Sequence, residues 1–250
     1  MPLIENVAIS LTGIDSMHNK KHVHSDGIEI MYIVKGKGTF LVENKVFDIK
    51  PNMLIVIDSD TLHCSNHSKE CEYLRDRILF DKEQFLSLLD LCNENIENIL
   101  QKCFFTEENI HHLFEKILKS DDGIEKLHFA LKILENCRNE NKSGTSLIDV
   151  ILAFIEDNIE NMLNAQVIAE KVHISSSHLY HLFKEKTGFP LMEYIKLRRV
   201  EKAKSLLRNS DLTVSQISVK CGYDNFSHFS RVFHLIEGVS PNQYRKKTRE

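Results

Sequence analysis

The residues best able to do chemistry fall into two groups, one near each end of the chain. Near the start, His22, His24, Glu29 and Gly36 follow the pattern H-x-H-x4-E-x6-G. On an extended strand alternate side chains share a face, so His22 and His24 point the same way. Such imidazoles serve either as ligand contacts or as hydrogen-bonded residues at a rim. Towards the other end, Ser177, Tyr180, His181 and Lys184 lie on a helical face opposite Leu179 and Phe183. Asn225, Ser227, Ser230 and Arg231 form an equivalent set further on. Arginine takes guanine bidentately, and serine, asparagine and tyrosine contact bases or phosphates. Arg231 is the leading candidate for a base contact, with a phosphate contact as the alternative. The chain holds no G-x-S-x-G, P-loop or G-x-G-x-x-G, and "GKG" at 36–38 reads as a hairpin turn. No catalytic constellation emerges.

Charge sorts these groups by partner. The net charge of −4 divides into +7 for residues 164–250 and −11 for the remainder. An acidic body with a basic tail domain points to a polyanion, usually nucleic acid. With 42% hydrophobic and 27% charged residues in 250, the composition is globular and excludes a disordered or low-complexity chain. No apolar run reaches the roughly 18 residues of a membrane span, so no membrane partner is expected. The first residues lack a basic start followed by an apolar stretch, which argues for a cytoplasmic protein. Its six cysteines should then stay reduced, and the absence of C-x-x-C excludes zinc ribbons and thioredoxin motifs.

These groups need elements to hold them. Residues 28–36, 38–44, 45–50 and 53–58 are rich in Ile, Val, Phe and Tyr and are punctuated by turn residues, as short strands require. From about 82 to 140 the texture is helical, with stripes at Phe114, Ile117 and Leu118 and at Leu127, Leu131 and Leu134. "NENKSGTS" at 139–146 reads as a linker. Beyond it, residues 164–188 predict a helix capped by Asn164, a turn, and a second helix capped by Ser175 and closed by Gly188. Residues 213–238 repeat the plan, with Thr213 and Asp224 as caps, Gly222 in the turn and Gly238 at the end. Val214, Ile217 and Val219, then Phe226, Phe229, Val232 and Phe233, are expected inside. Between the repeats, Leu191 to Arg208 predicts a helix of roughly 27 Å. That strut would hold two recognition helices about one turn of B-DNA apart, roughly 34 Å.

The pieces "IAEKVHISSSHLYHLFKEKTGFP", "EYIKLRRVEKAKSLL", "ISVKCGYDNFSHFSRVF" and "GVSPNQYRK" together resemble the DNA-binding domain of the AraC/XylS family of bacterial transcription regulators. His181 and His234 depart from it, standing where the family often has Arg and Lys. The resemblance implies that Lys184, Lys186, Arg198, Arg245, Lys246 and Lys247 neutralise phosphates, which makes binding salt-dependent. "HVHSDGIEIMYIVKG" resembles the first motif of cupin barrels, and "KPNMLIVIDSDTLHCSN" the second. The second departs in having Asn52-Met53 where a Gly is usual and in its His63-to-Asn66 spacing. In metal cupins the matching residues, here His22, His24, Glu29 and His63, converge on one divalent metal of the Fe, Mn, Ni, Cu or Zn type. The same four are the candidate effector contacts.

The resulting expectation is a multidomain protein. Residues 1–80 form an all-β cupin-like barrel and 81–140 an appended helical dimerisation segment. Residues 141–147 form a linker, and 148–250 an all-α tandem helix-turn-helix domain. The expected partners are double-stranded DNA, a small-molecule effector, RNA polymerase and a second copy of the chain. The alternative is a metal-dependent cupin enzyme fused to a DNA-binding domain.

Overall fold

A computed structural model describes residues 4–12, 27–58, 61–67, 71–91, 100, 102–137 and 146–249, and it divides into two compact units, 1–144 and 145–250. Two antiparallel sheets build the first unit. One has the order β1 (Ile4–Thr12), β7 (Tyr73–Phe80), β2 (Ile28–Lys35), β5 (Met53–Asp58), β8 (Lys102–Phe105). The other has the order β4 (Lys45–Ile49), β3 (Gly38–Val42), β6 (His63–His67). Helices α1 (Lys82–Leu91), α2 (His111–Lys119) and α3 (Gly123–Leu134) accompany them.

β2 reads IEIMYIVK, almost without polar interruption, because both its faces are covered. Ile28, Ile30 and Tyr32 pack with Phe85, Phe114 and Ile133 of the three helices. Met31 and Ile33, on the alternate face, pack with Phe40, Val42 and Phe47 of the smaller sheet. The Tyr32 and Phe114 rings stack 5.7 Å apart. α2 is also fastened by a hydrogen bond: His111 Nδ1 lies 2.7 Å from Oδ2 of the fully buried Asp76 on β7.

Two expectations for this unit need correction. The stretch 82–140 is not helical throughout, because β8 adds a strand beside β5. Four residues, KCFF, are too short for periodicity to distinguish helix from strand. Cys103 faces the smaller sheet and Phe104 the helices, so alternation decides the matter only in three dimensions. Leu118 leaves the stripe of Phe114 and Ile117 and is 48% exposed. Most of the expected linker lies outside the described residues.

The second unit is helical: α4 (Leu147–Asp157), α5 (Ala165–Lys171), α6 (Ser176–Thr187), α7 (Leu191–Asn209), α8 (Val214–Lys220), α9 (Phe226–Glu237) and α10 (Pro241–Arg249). α5–α6 and α8–α9 are two helix-turn-helix pairs on either side of α7. Asn164 caps α5 through Val167 N at 2.9 Å, and Ser175 caps α6 through His178 N at 3.2 Å. Thr213 and Gln216 form a capping box on α8. α9 is capped by Asn225, which accepts from His228 N at 3.0 Å, and not by Asp224 as the sequence suggested. The second turn is one residue longer than the first, which moves the cap along by one. Val219, at 65% exposure, and Phe226, at 43%, also stand outside the core that the sequence assigned them. The core lies on the Val214–Ile217 and Phe229–Phe233 stripes.

The two turns differ in one backbone detail. Both use a left-handed residue, Gly222 at φ 74° in the second and His173 at φ 57° in the first. A Cβ on Gly222 would also stand 2.6 Å from Ile159 O. Gly222→Ala should therefore destabilise the second unit in urea unfolding. His173→Gly should stabilise it by no more than about 1 kcal/mol, by relieving left-handed strain. Destabilisation by both changes would contradict this account of the turns.

Candidate functional site

α6 and α9 present the polar faces that the sequence predicted. Ser177, Tyr180, His181 and Lys184 are all exposed on α6, with Leu179 and Phe183 fully buried behind them. On α9, Ser227 and Arg231 are exposed and Ser230 is half-buried, above buried Phe229 and Phe233. The Arg231 Nε leans on Ser227 O at 3.4 Å, a weak tether that leaves the guanidinium at the surface. Asn225 is exposed, but its side-chain oxygen is engaged as the cap of α9.

The basic residues expected to grip phosphates divide. Lys184 and Lys247 are exposed, as is Lys246. Lys186 lies 3.7 Å from Glu185. Arg198 is turned inward and clamps Glu156 of α4 bidentately, Nε to Oε1 at 2.6 Å and Nη2 to Oε2 at 3.0 Å. Arg245 is half-buried and donates from Nη2 to Leu212 O at 2.6 Å, tying α10 to the approach of α8. Arg198 and Arg245 thus hold helices together, a role that helical spacing alone does not distinguish from phosphate contact.

The strut is locked along its middle. Lys202 pairs with Glu160 at 2.7 Å, and Arg199 donates to Ile159 O at 3.1 Å and Asn161 O at 2.7 Å. Lys204, only 3% exposed, pairs with Glu201 at 3.3 Å and with Glu237 of α9 at 3.4 Å. Burial works against the charge of Lys204, but the two carboxylates more than offset it and raise its pKa. A buried charge pair broken on one side is costly, so these contacts hold α9 at a defined angle on α7.

In the first unit the sequence-predicted cluster is described in part. His22 and His24 lie outside the described residues. Glu29 and His63 come together between the two sheets, His63 Nε2 lying 3.3 Å from Glu29 Oε2. Their neighbours were not foreseen. Arg77 of β7 reaches Glu29 Oε1 at 2.9 Å, and His63 Nδ1 bonds to Thr61 O at 2.8 Å. Below them His67 stacks on Tyr73 at 4.4 Å, and Arg75 lies between Arg77 and Tyr73 on the same face of β7. Period two is present in YLRDRILF, but only the second sheet covering that face distinguishes inward arginines from a solvent-facing row.

The described half of the cluster, Glu29 and His63, does not by itself make a metal site. Among the described residues no group of three His, Cys, Asp or Glu side chains could hold an ion. Both Glu29 oxygens face cationic or imidazole nitrogens, and the permanent charge of Arg77 opposes a metal at that carboxylate. Burial alone would raise the Glu29 pKa. The His63 contact and the charges of His63, Arg77 and Arg75 outweigh it and lower the value from 4.5 to about 2. A folded pKa below the unfolded one means that Glu29 contributes stability above pH 4.5, lost as pH falls towards 2. The stability advantage of wild type over Glu29→Gln in urea unfolding should therefore shrink across that interval. A constant difference would contradict the assignment.

Two family models match the chain. The AraC-like ligand binding domain matches residues 7–119, and the helix-turn-helix domain matches residues 168–247. The chain is 24% identical over 246 residues to the uncharacterized HTH-type transcriptional regulator YdiP of Escherichia coli (strain K12), covering 90% of this chain and 80% of that one. It is 23% identical over 247 residues to the HTH-type transcriptional activator RhaR of Pectobacterium carotovorum subsp. carotovorum (strain PC1), covering 90% and 85%. The C-terminal domain of the two-component response regulator yesN from Fusobacterium nucleatum is 31% identical at a TM-score of 0.38, covering 39% of this chain and 95% of that one. No helix among the described residues is long and apolar enough to cross a membrane. The chain belongs to the AraC family and is an AraC-type DNA-binding transcription regulator, with an AraC-like ligand-binding domain ahead of its helix-turn-helix domain.

Proposed function

We propose that α6 and α9 enter successive major grooves on one face of double-stranded DNA, and that a small molecule held by the first unit controls this binding. The observation that carries the reading is the pair of exposed polar faces at the two ends of one locked helix, α7. Arg231 reads a base, Ser177, Tyr180, His181, Ser227 and Ser230 contact base edges or phosphates, and Lys184, Lys246 and Lys247 neutralise phosphates. Asn225 contributes its amide donors at the start of α9. Arg245 acts by positioning α10.

The effector works by shifting population between arrangements of the two units, since it changes DNA affinity only by as much as it discriminates between them. Two copies of the chain pair through the helical segment of the first unit, where Leu118 on α2 and Ile124 on α3 offer apolar side chains to solvent. Pairing raises effective concentration at doubled sites. The protein acts in the cytoplasm as a regulator that contacts RNA polymerase, and it is not an enzyme.

Arg231→Ala should weaken binding to the preferred sequence by about 1–3 kcal/mol in a fluorescence-anisotropy titration and leave random DNA almost unaffected. An equal loss on both would reduce Arg231 to a phosphate contact. Lys184→Ala should weaken both DNAs alike and lower the salt slope by about one. A sequence-dependent loss there would place Lys184 among the base-reading residues instead.

A further inference from the structure

We propose that the effector is a small oxyanion, a carboxylate or a phosphate, and that the Arg75 guanidinium between the two sheets binds it. This rests on the reading of the first unit as a ligand-binding domain and names the chemistry of its ligand.

Among the described residues, Arg75 is the cation of the inter-sheet cluster that no carboxylate grips directly, although its charge reaches Glu29. Glu29 is the carboxylate there, and its oxygens face Arg77 and His63. The Arg75 Nε is buried and has no hydrogen-bond partner among the described residues. Its Nη1 donates to the Met31 thioether at 3.5 Å, a weak acceptor for a strong donor. Tyr73 lies against it: burial pushes its phenol to a higher pKa, while the Arg75 charge and hydrogen bonding with Ser65 and Arg75 draw it down, so it is a neutral neighbour and no counter-ion while it keeps its proton. An under-satisfied guanidinium in a part-buried site costs stability, so its presence calls for a partner that comes and goes.

The free edge has a defined shape. With Nη1 turned to Met31, Nε and Nη2 form the side of the guanidinium that grips two oxygens of one anion. The same molecule shows that edge filled: Arg198 holds Glu156 through Nε and Nη2 at 2.6 and 3.0 Å. Along β6, Ser65 falls between His63 and His67, which meet Glu29 and Tyr73 across the gap, so the smallest side chain of that face lies level with Arg75. β6 and β1 are both edge strands, so the sheets are not bonded to each other on this side.

The test compares full-length wild type with Arg75→Met in thermal unfolding. The probes are sodium acetate, sodium succinate, inorganic phosphate and ribose, each against potassium chloride of equal ionic strength. At least one oxyanion should raise the wild-type Tm by about 2 °C or more over the chloride control, ribose should not, and Arg75→Met should lose the rise. Acetate or succinate acting without phosphate identifies a carboxylate, and the converse a phosphate. The proposal is overturned if no oxyanion acts beyond chloride or if the rise persists in the variant. DNA affinity of the same samples separates the two readings. Intact binding by both proteins with no oxyanion response would sink the ligand assignment alone, and absent binding by wild type would strike the regulator reading.

Discussion

Both helix-turn-helix pairs fold against a single helix, and the distance between them is set by its length. The first half of α7 gives Tyr194, fully buried, to the first pair, where its ring meets Phe183 edge-on at 5.3 Å. The second half gives Val200, Ala203 and Leu207 to the core of the second pair. With 19 residues, α7 runs about 28 Å at the usual rise. Charge contacts then remove the remaining freedom. Arg198, Arg199 and Lys202 lace α7 to α4 and the loop that follows it, and Lys204 holds Glu237 of α9. Residues that resemble a basic DNA-facing stripe therefore act mainly inside the protein. Rigidity here is a functional property, because two grooves can be read together only if the readers keep their spacing.

The first unit solves a different problem. A sheet covered on both faces must be apolar on both, and β2 nearly is. The exceptions concentrate on one side, where Glu29, His63, Arg75, Arg77 and Tyr73 face one another between the sheets. Buried charges in such numbers rarely add stability, even when paired. Their retention in an otherwise apolar interior is best understood as recognition chemistry, with Glu29 neutralising part of the positive charge and Arg75 left for a ligand.

How much of this was legible depended on whether the deciding signal was local. Caps are local, and Asn164, Ser175, Thr213, Gly188 and Gly238 sit where sequence reading placed them. The repeat of that pattern around a helix of the right length makes the two-pair architecture legible in the sequence. Asn225 was missed as a cap because one added residue in a turn shifts the frame, and Asp224 and Asn225 are equally good candidates by type. Val219 and Phe226 were misplaced because a seven-residue helix and a first-turn residue bury less than their hydrophobicity suggests. β8 and the inward arginines of β7 depend on which sheet covers which face, a fact no window of sequence contains. The partners of Arg198 and Arg245 are more than thirty residues away in sequence and were invisible for the same reason.

The central claim is that α7 holds two DNA readers at a fixed separation. The most direct measurement is the affinity of the protein for its site after insertion of about five or ten base pairs between the halves read by α6 and α9. A rigid strut predicts that both insertions reduce affinity to that of one half alone. The longer insertion fails although it restores the helical face, because the span has grown by a full turn. Recovery of full affinity at the longer spacing would show that the two pairs move independently and would contradict the account.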